Sequence, residues 1–588
     1  MSVKLRTNAP PGNKDYTNAA VVIIGAGISG MCMAIDLIKR NKCHNFVILE
    51  KSSGVGGTWH DNKYPGCCCD VTSILYSYSF EQYTRWSRMF PGQEELLVRI
   101  KKHQLHTCKL TKIVQVYLTQ VAEKYGLYKY IRFNSEVKEA RWDAEKMKWR
   151  VNVEVSGDKD NQFTRSYALS TDFLISAVGQ LNFPREPEIP GLKDFRGKMM
   201  HSARWDWTYT FENKRIAIIG NGATSAQIVP EMAKVASQLV VFQRTPNWII
   251  PRLDTAISRL QQTLLTYLPP LRIRKRSLTM DFREDFHQVV RDSSSNVAQQ
   301  VRGICSKRLR TQLANKPELW EKLTPGYAPG CKRLILSDDY FPALNRENVD
   351  LETRPISRFT ENGIEVEGGT VQEYDMIILA TGFKTVEFMH PIQIYGSKGR
   401  PLSDIWKEGA SAHHGVTVED LPNFGMLYGP NTNLGHSSII LMIESQSRYL
   451  NALVGEVLRA RTQGKTLAIM PKVGALQEYN RELQQALAKS SFADPKCSSW
   501  YKTKEGKVTN NWSGTVVDYQ RKLAELHWAD YVLEGTAGDD VNPSQKTYLG
   551  RVHEETYVSN RSLVLTVASV VAVIGGVFLR GTSLLRGH

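Results

Sequence analysis

The chain has 588 residues, 42% of them hydrophobic and 23% charged, and a formal net charge of +16. That length exceeds what one hydrophobic core supports and predicts two or three domains, while the composition excludes a wholly disordered chain. The basic balance suits anionic cofactors or a membrane surface; no nucleic-acid module is recognisable, so no nucleic-acid partner is expected.

Residues 1–16 are polar and proline-bearing, and they lack the apolar stretch of a signal peptide. They predict a flexible N-terminus. VVIIGAGISG, 21–30, then runs from β-branched apolar residues into a glycine loop at Gly25, Gly27 and Gly30. MCMAIDLIKR reads as the helix that follows, and NFVILEK as a second strand ending at Glu50. The acid comes about 25 residues after Gly25, close to the roughly 20 of a dinucleotide-binding βαβ unit. Glycines there admit a pyrophosphate to the helix N-terminus, and the Glu50 carboxylate would accept hydrogen bonds from a ribose diol. A lone GxGxxG is weak evidence, whereas the complete strand–loop–helix–strand–acid run is strong.

GCCCD, 66–70, places three cysteines in a row before Asp70. The chain has nine cysteines but no CxxC pair and no zinc spacing. That pattern predicts neither a disulfide framework nor a metal site, and it suits a reducing compartment. The run reads as small, adaptable packing in a tight loop.

TDFLISAVGQ, 171–180, and YDMIILATGF, 374–383, read as buried parallel strands ending in small-residue turns near a cofactor. RIAIIGNGATSAQIVPEMAK, 215–234, repeats the nucleotide unit with Gly220, Gly222 and Ser225. Its second strand, LVVFQRTPN, carries Arg244 where the first unit carries Glu50. A guanidinium at that position binds a 2′-phosphate bidentately. The first site therefore suits FAD and the second NADPH, with hydride transfer between them.

PRLDTAISRL to PGYAPG, 251–330, is rich in helix formers and interrupts the second unit. Its RIRKR, 272–276, reads as a solvated helix face that could also meet anionic headgroups. SLVLTVASVVAVIGGVFL, 562–579, is uncharged and would run ~27 Å as a helix, about a bilayer core. It predicts a single C-terminal membrane anchor with the catalytic part on the cytosolic side.

FRGKMMHSARWD, 195–206, matches the pattern FxGxxxHxxxW(P/D) at Phe195, Gly197, His201, Trp205 and Asp206. With GGTW at 56–59, YPG before Asp70, VFQRTPN, GCKRL, the ATG turn and SSWY in the same order, the chain resembles the type I Baeyer–Villiger monooxygenases. The resemblance spans about residues 17 to 520. It implies an enzyme that inserts one oxygen atom of O2 beside a ketone carbonyl, giving an ester or lactone, through a C4a-peroxyflavin and NADPH oxidation. A small-molecule ketone and O2 are the partners it implies.

Carried over residue by residue, the resemblance makes Arg333 the cation over the flavin and Asp70 its orienting partner. It places Lys332 with Arg244 on the NADP 2′-phosphate. FAD contacts are implied for Thr58, Trp59, His60, Asp61, Cys68, Cys69, Asp70, Val71 and Tyr76. NADP contacts are implied for Asn221, Gly222, Ala223, Thr224, Ser225, Ala226, Gln227, Thr245 and Trp500. His201 belongs to an interdomain linker, where coupling of domain motion is a better role than proton transfer. Two alternatives stay open: an N- or S-oxygenating flavin monooxygenase and, from another class, an NADPH-dependent flavin disulfide reductase.

The fold class expected is α/β, with two Rossmann-like dinucleotide-binding domains for FAD and NADP, a helical insertion and a C-terminal apolar helix. The FAD-binding domain would occupy 17–190 and 372–555. The NADP-binding domain would occupy 191–250 and 331–371, with the insertion at 251–330 and the tail helix at 562–579.

Overall fold

A computed structural model describes residues 15–93, 95, 117–156 and 165–556. The first glycine loop leaves a strand at Asn18–Ile24, seven residues that are buried except at the leading end. This strand runs parallel to Phe46–Leu49 on one side and to Ser166–Ser176 on the other. It sits inside an eight-stranded sheet whose far side is an antiparallel ribbon of Ser135–Asp143 and Lys148–Val155. Continuous apolar runs form these strands because both faces of the parallel part are covered. The helix Ile28–Lys39 covers one face and packs against the long helix Ile440–Thr462.

The second glycine loop leaves Arg215–Ile219 in a separate, fully parallel sheet. Its order is Val349–Glu352, Gln238–Phe242, Arg215–Ile219, Met376–Leu379 and Lys198–His201. Strand Met376–Leu379 thus belongs to the second sheet, whereas a boundary at 371/372 assigned it to the first. An apolar parallel strand carries no mark of which sheet it joins. The chain rejoins the first sheet only at Gln393–Tyr395 and Phe424–Met426.

The insertion is helical at Arg259–Tyr267, Pro269–Asp285, His287–Arg291, Asn296–Gln312 and Leu319–Lys322. Ser258 opens the first of these with a capping box: its hydroxyl accepts from the Gln261 N–H, and the Gln261 side chain accepts from the Ser258 N–H. Both exchanges satisfy orphan donors of the first turn.

Three expectations are corrected here. RIRKR is not wholly a solvated face, because Arg276 is buried at 1% exposure. Its Nε donates to Glu554 at 2.5 Å, and its other nitrogens donate to Ser77 and to the carbonyl of Ile74. One cysteine pair is oxidised: Cys331 and Cys497 form a disulfide across 166 positions. Last, among the described residues no helix is long and apolar enough to cross a membrane. The stretch 562–579 lies outside those residues, and the membrane localisation drawn from it is withdrawn.

The Arg276–Glu554 pair ties the insertion to the end of the described chain. Removing one member strands a buried charge, at a cost of about 3–5 kcal/mol. Glu554→Ala should therefore lower the melting temperature clearly, while Glu554→Gln, which keeps an acceptor, should lower it less; thermal denaturation followed by circular dichroism checks this.

Candidate active site

The two nucleotide units build the same local device. Gly25 has φ +106°, and a Cβ there would lie 2.6 Å from the Ala177 carbonyl oxygen. Gly220 has φ +107°, and a Cβ there would lie 2.5 Å from the Ala380 carbonyl oxygen. In each unit the loop glycine is pressed onto the small-residue turn that ends a neighbouring parallel strand. The left-handed φ and the close approach both require glycine. Gly27 lies against Gly57, where a Cβ on Gly57 would come 3.2 Å from the Gly27 Cα. Gly30 serves packing, since a Cβ there would strike the Gly25 carbonyl at 1.9 Å.

A cavity of about 1120 Å³ joins both devices. Gly25, Gly27, Glu50, Thr58, Trp59, Cys68, Cys69, Asp70, Val71 and Tyr76 line it from the first domain. Asn221, Gly222, Ala223, Thr224, Gln227, Arg244, Thr245, Lys332, Arg333 and Trp500 complete it from the other side. His60, Asp61, Ser225 and Ala226 do not line it. His60 Nδ1 pairs with Asp61 at 3.0 Å, and Asp61 accepts from Ser52, so both stand behind the loop. Ser225 and Ala226 are buried on the inner face of the helix Ala223–Met232.

The donor set fits both nucleotides. Each Glu50 oxygen accepts one backbone N–H, from Ala26 at 2.7 Å and from Ser52 at 2.8 Å. Burial raises its pKa, and those two N–H groups work against the rise. The carboxylate keeps further lone pairs on the cavity side. On the other side, Arg244 is exposed at the cavity wall. Burial, and then the charge of Arg244, lowers the Lys332 ammonium to about 8. Two cations that disfavour one another side by side would each be relieved by an anion such as a 2′-phosphate.

Arg333 lines the same cavity. Its Nη2 donates to Asp70 Oδ1 at 2.8 Å, its Nε donates to Asp70 Oδ2, and its Nη1 donates to the Leu434 carbonyl at 3.1 Å. The two side chains keep 24% and 30% exposure, which they owe to the cavity they line. Burial alone would raise Asp70, but the Arg333 charge and hydrogen bonds reverse this and lower it. Burial likewise works against the Arg333 charge, and Asp70 outweighs it. The fork holds both groups ionised at the cavity wall.

A family model described as flavin-binding monooxygenase-like matches residues 18–268. The FAD-binding monooxygenase ktnD of Aspergillus niger is 53% identical over 572 residues, covering 97% of this chain and 90% of its own. A Baeyer–Villiger monooxygenase of Streptomyces coelicolor is 37% identical over 518 residues, covering 88% of this chain and 93% of its own. The chain belongs to the type I Baeyer–Villiger monooxygenases. The structure of OTEMO in complex with FAD and NADP superposes with a TM-score of 0.72 at 26% identity, covering 86% of this chain and 97% of that one. The enzyme is accordingly flavin-dependent and uses FAD and NADPH.

In this monooxygenase the long fingerprint is structural. Phe195 is buried against the second sheet, and a Cβ on Gly197 would strike its ring at 2.4 Å. Trp205 stacks on Phe211, and Asp206 pairs with Lys198 at 2.6 Å. His201 Nε2 donates to the Gly382 carbonyl at 3.0 Å, and its Nδ1 accepts from the Ala203 N–H at 3.1 Å. Burial lowers its pKa to about 4, so the ring is neutral. Both nitrogens are engaged, and the ring pins the Thr381–Gly382 turn that lines the cavity.

Sequence reasoning missed Arg283, on the insertion helix Pro269–Asp285. Its Nη2 donates to the Asp70 carbonyl at 2.8 Å, and its neighbour Glu284 faces His436 at 3.3 Å. It also missed Tyr428, Asn433 and Ser437, which line the cavity beside Arg333. Nothing in the helical periodicity marks Arg283, because its partner is a main-chain oxygen from a distant loop.

The lowered Lys332 pKa gives a pH test. The free enzyme loses that positive charge as pH rises through about 8. NADP+ affinity should fall across this range while NAD+ affinity stays flat, and Lys332→Met should weaken NADP+ binding at low pH and remove the slope. Titration of the FAD-loaded protein at a series of pH values measures it.

Proposed function

We propose that Arg333, held by Asp70, is the cation on which oxygen transfer to the ketone depends. Bound FAD would pass reducing equivalents from NADPH to O2, one atom of which enters the substrate while the other leaves as water. The chain's own task is to let negative charge develop beside the flavin position and to keep water away. A guanidinium fixed in place before reaction offers its N–H groups to that charge without reorganising. The Asp70 fork prevents the side chain from swinging, and Leu434 and Ile443 give the same wall apolar surface. Water that reached the site would divert the oxygen to H2O2.

The observation that carries this reading is the two-point Asp70–Arg333 fork at the wall of the cavity that both glycine loops line. Glu50 is proposed to take the FAD ribose diol, and Arg244 with Lys332 the 2′-phosphate of NADPH. The product is an ester or a lactone; the wall residues do not single out one ketone.

Arg333→Ala should retain FAD and NADPH oxidation but release H2O2 in place of ester, with a loss of product of ~10²-fold or more, the size of losing a preorganised donor. Asp70→Asn should fall between wild type and Arg333→Ala. Product analysis by gas chromatography alongside a peroxide assay decides it, and undiminished ester from Arg333→Ala would remove Arg333 from the mechanism.

A further inference from the structure

Two loops close the cavity on the nucleotide side. One carries Lys332 and Arg333, and the other carries Ser498, Ser499 and Trp500; all five line the cavity. Cys331 immediately precedes the first pair, and Cys497 immediately precedes the second run. Their disulfide therefore joins the cation loop to the Trp500 loop at the root of both.

Polar contacts and apolar packing also tie the two loops. The Ala328 N–H donates to Asp494 Oδ2 at 2.9 Å, and Gly330 approaches Ser491 closely, where a Cβ would come 2.9 Å from its Oγ. Within the second loop, Lys502 Nζ donates to the Asp494 carbonyl at 2.9 Å. Beyond the disulfide, Lys332 rests on the Tyr327 ring, with Nζ 5.0 Å from its centre. The disulfide is buried, with Cys331 at 0% and Cys497 at 2% exposure, in a cluster with Trp248, Val289, Val301 and Cys305. Burial pushes the Cys305 thiol up to about 12, so the one thiol in that cluster stays protonated and does not exchange with the disulfide.

We propose that the Cys331–Cys497 disulfide is a positioning element for oxygen transfer, and that coupling of NADPH oxidation to ester formation depends on its being intact. It rests on the reading of Lys332 and Arg333 given above. A covalent tie at the base of both loops limits how far the cations can move from the Trp500 side of the nucleotide. Opening it requires an external dithiol. The S–S bond breaks, the dithiol becomes a cyclic disulfide, and its two electrons and two protons yield two cysteine thiols. The loops then keep the polar ties and the apolar packing around the two sulfurs but lose the covalent link. Lys332 loses its fixed distance to the nucleotide, and Arg333 its fixed approach to Asp70.

The test uses the FAD-loaded full chain. Peptide mass mapping should find Cys331 and Cys497 linked in the active enzyme; free thiols at both positions in a fully coupled preparation would overturn the proposal. Wild type treated with dithiothreitol, with reduction verified by mass, should show a several-fold higher KM for NADPH and a larger share of H2O2, with kcat for NADPH oxidation and FAD content retained. Cys331→Ala/Cys497→Ala should show the same KM and peroxide share, and dithiothreitol should not alter it further. If the double variant loses FAD, the reduced wild type decides; if the buried bond resists reduction, the double variant decides. Verified opening with unchanged KM and unchanged ester-to-peroxide ratio would refute the proposal. That result is separable from a failure of the site reading: Arg333→Ala that still makes ester sinks the reading, whereas Arg333→Ala that makes none, beside a fully coupled double variant, sinks only the positioning role.

Discussion

A carboxylate and a guanidinium, Asp70 and Arg333, meet at the wall of a cavity that two separate sheets enclose. The pair is costly to assemble. Each charge loses hydration there, and each is useful only with the other present. Asp70 comes from a loop of the first domain, and Arg333 comes from the end of a helical insertion in the second. The fork therefore fixes the relation of the two domains as well as the charge state of the site. Much of the surrounding structure makes sense as support for it. The Leu434 carbonyl takes the third donor, and Arg283 holds the main chain of Asp70 from behind.

The charge balance at this wall favours an anion. Arg333 and Arg283 lie near one carboxylate, and burial together with Arg333 pushes the Arg283 pKa down. Lys332 and Arg244 repeat the imbalance at the other end of the cavity. Lys332 and Arg244 thus add positive charge to a wall where Arg333 is already paired with Asp70. In the roles proposed above, Lys332 and Arg244 meet a nucleotide phosphate and Arg333 meets charge that appears only during turnover. The two differ in support: Arg333 is locked by a two-point fork, whereas Arg244 is exposed.

What was legible in the sequence was local. Gly25 and Gly220 need a left-handed φ and a close neighbour, and the βαβ spacing alone places Glu50 and Arg244 at the strand ends. The Asp70–Arg333 partnership came from resemblance to a family, because the two residues are too far apart in sequence for spacing to link them. The remainder depends on tertiary placement. RIRKR has the charge density of a solvated face, yet Arg276 is buried because Glu554 and Ser77 converge on it. Met376–Leu379 is apolar in the way any parallel strand is, so its sheet could not be told. The Cys331–Cys497 bond links residues with no motif between them, and the count of nine cysteines pointed away from it.

The cysteine run shows how composition can mislead at a site. Cys67, Cys68 and Cys69 resemble a metal or redox centre only while they are considered alone. Cys68 Sγ accepts from Arg252 at 2.7 Å and from Gln227 at 3.3 Å, and the Cys68 carbonyl also accepts from Gln227. Burial raises its pKa to about 11, with Arg252 opposing, so it rests as a thiol. The Cys69 N–H donates to the Pro91 carbonyl, and the Gln93 N–H donates to the Cys67 carbonyl, so the run is a strand-like edge laid on residues 91–93. Such an edge needs side chains small enough for a tight loop and polarisable enough to meet a guanidinium and an amide without fixed geometry. Cysteine meets both needs. The disulfide among the described residues lies elsewhere, between Cys331 and Cys497 at the base of the loops that carry Arg333 and Trp500, where no cluster of thiols advertises it.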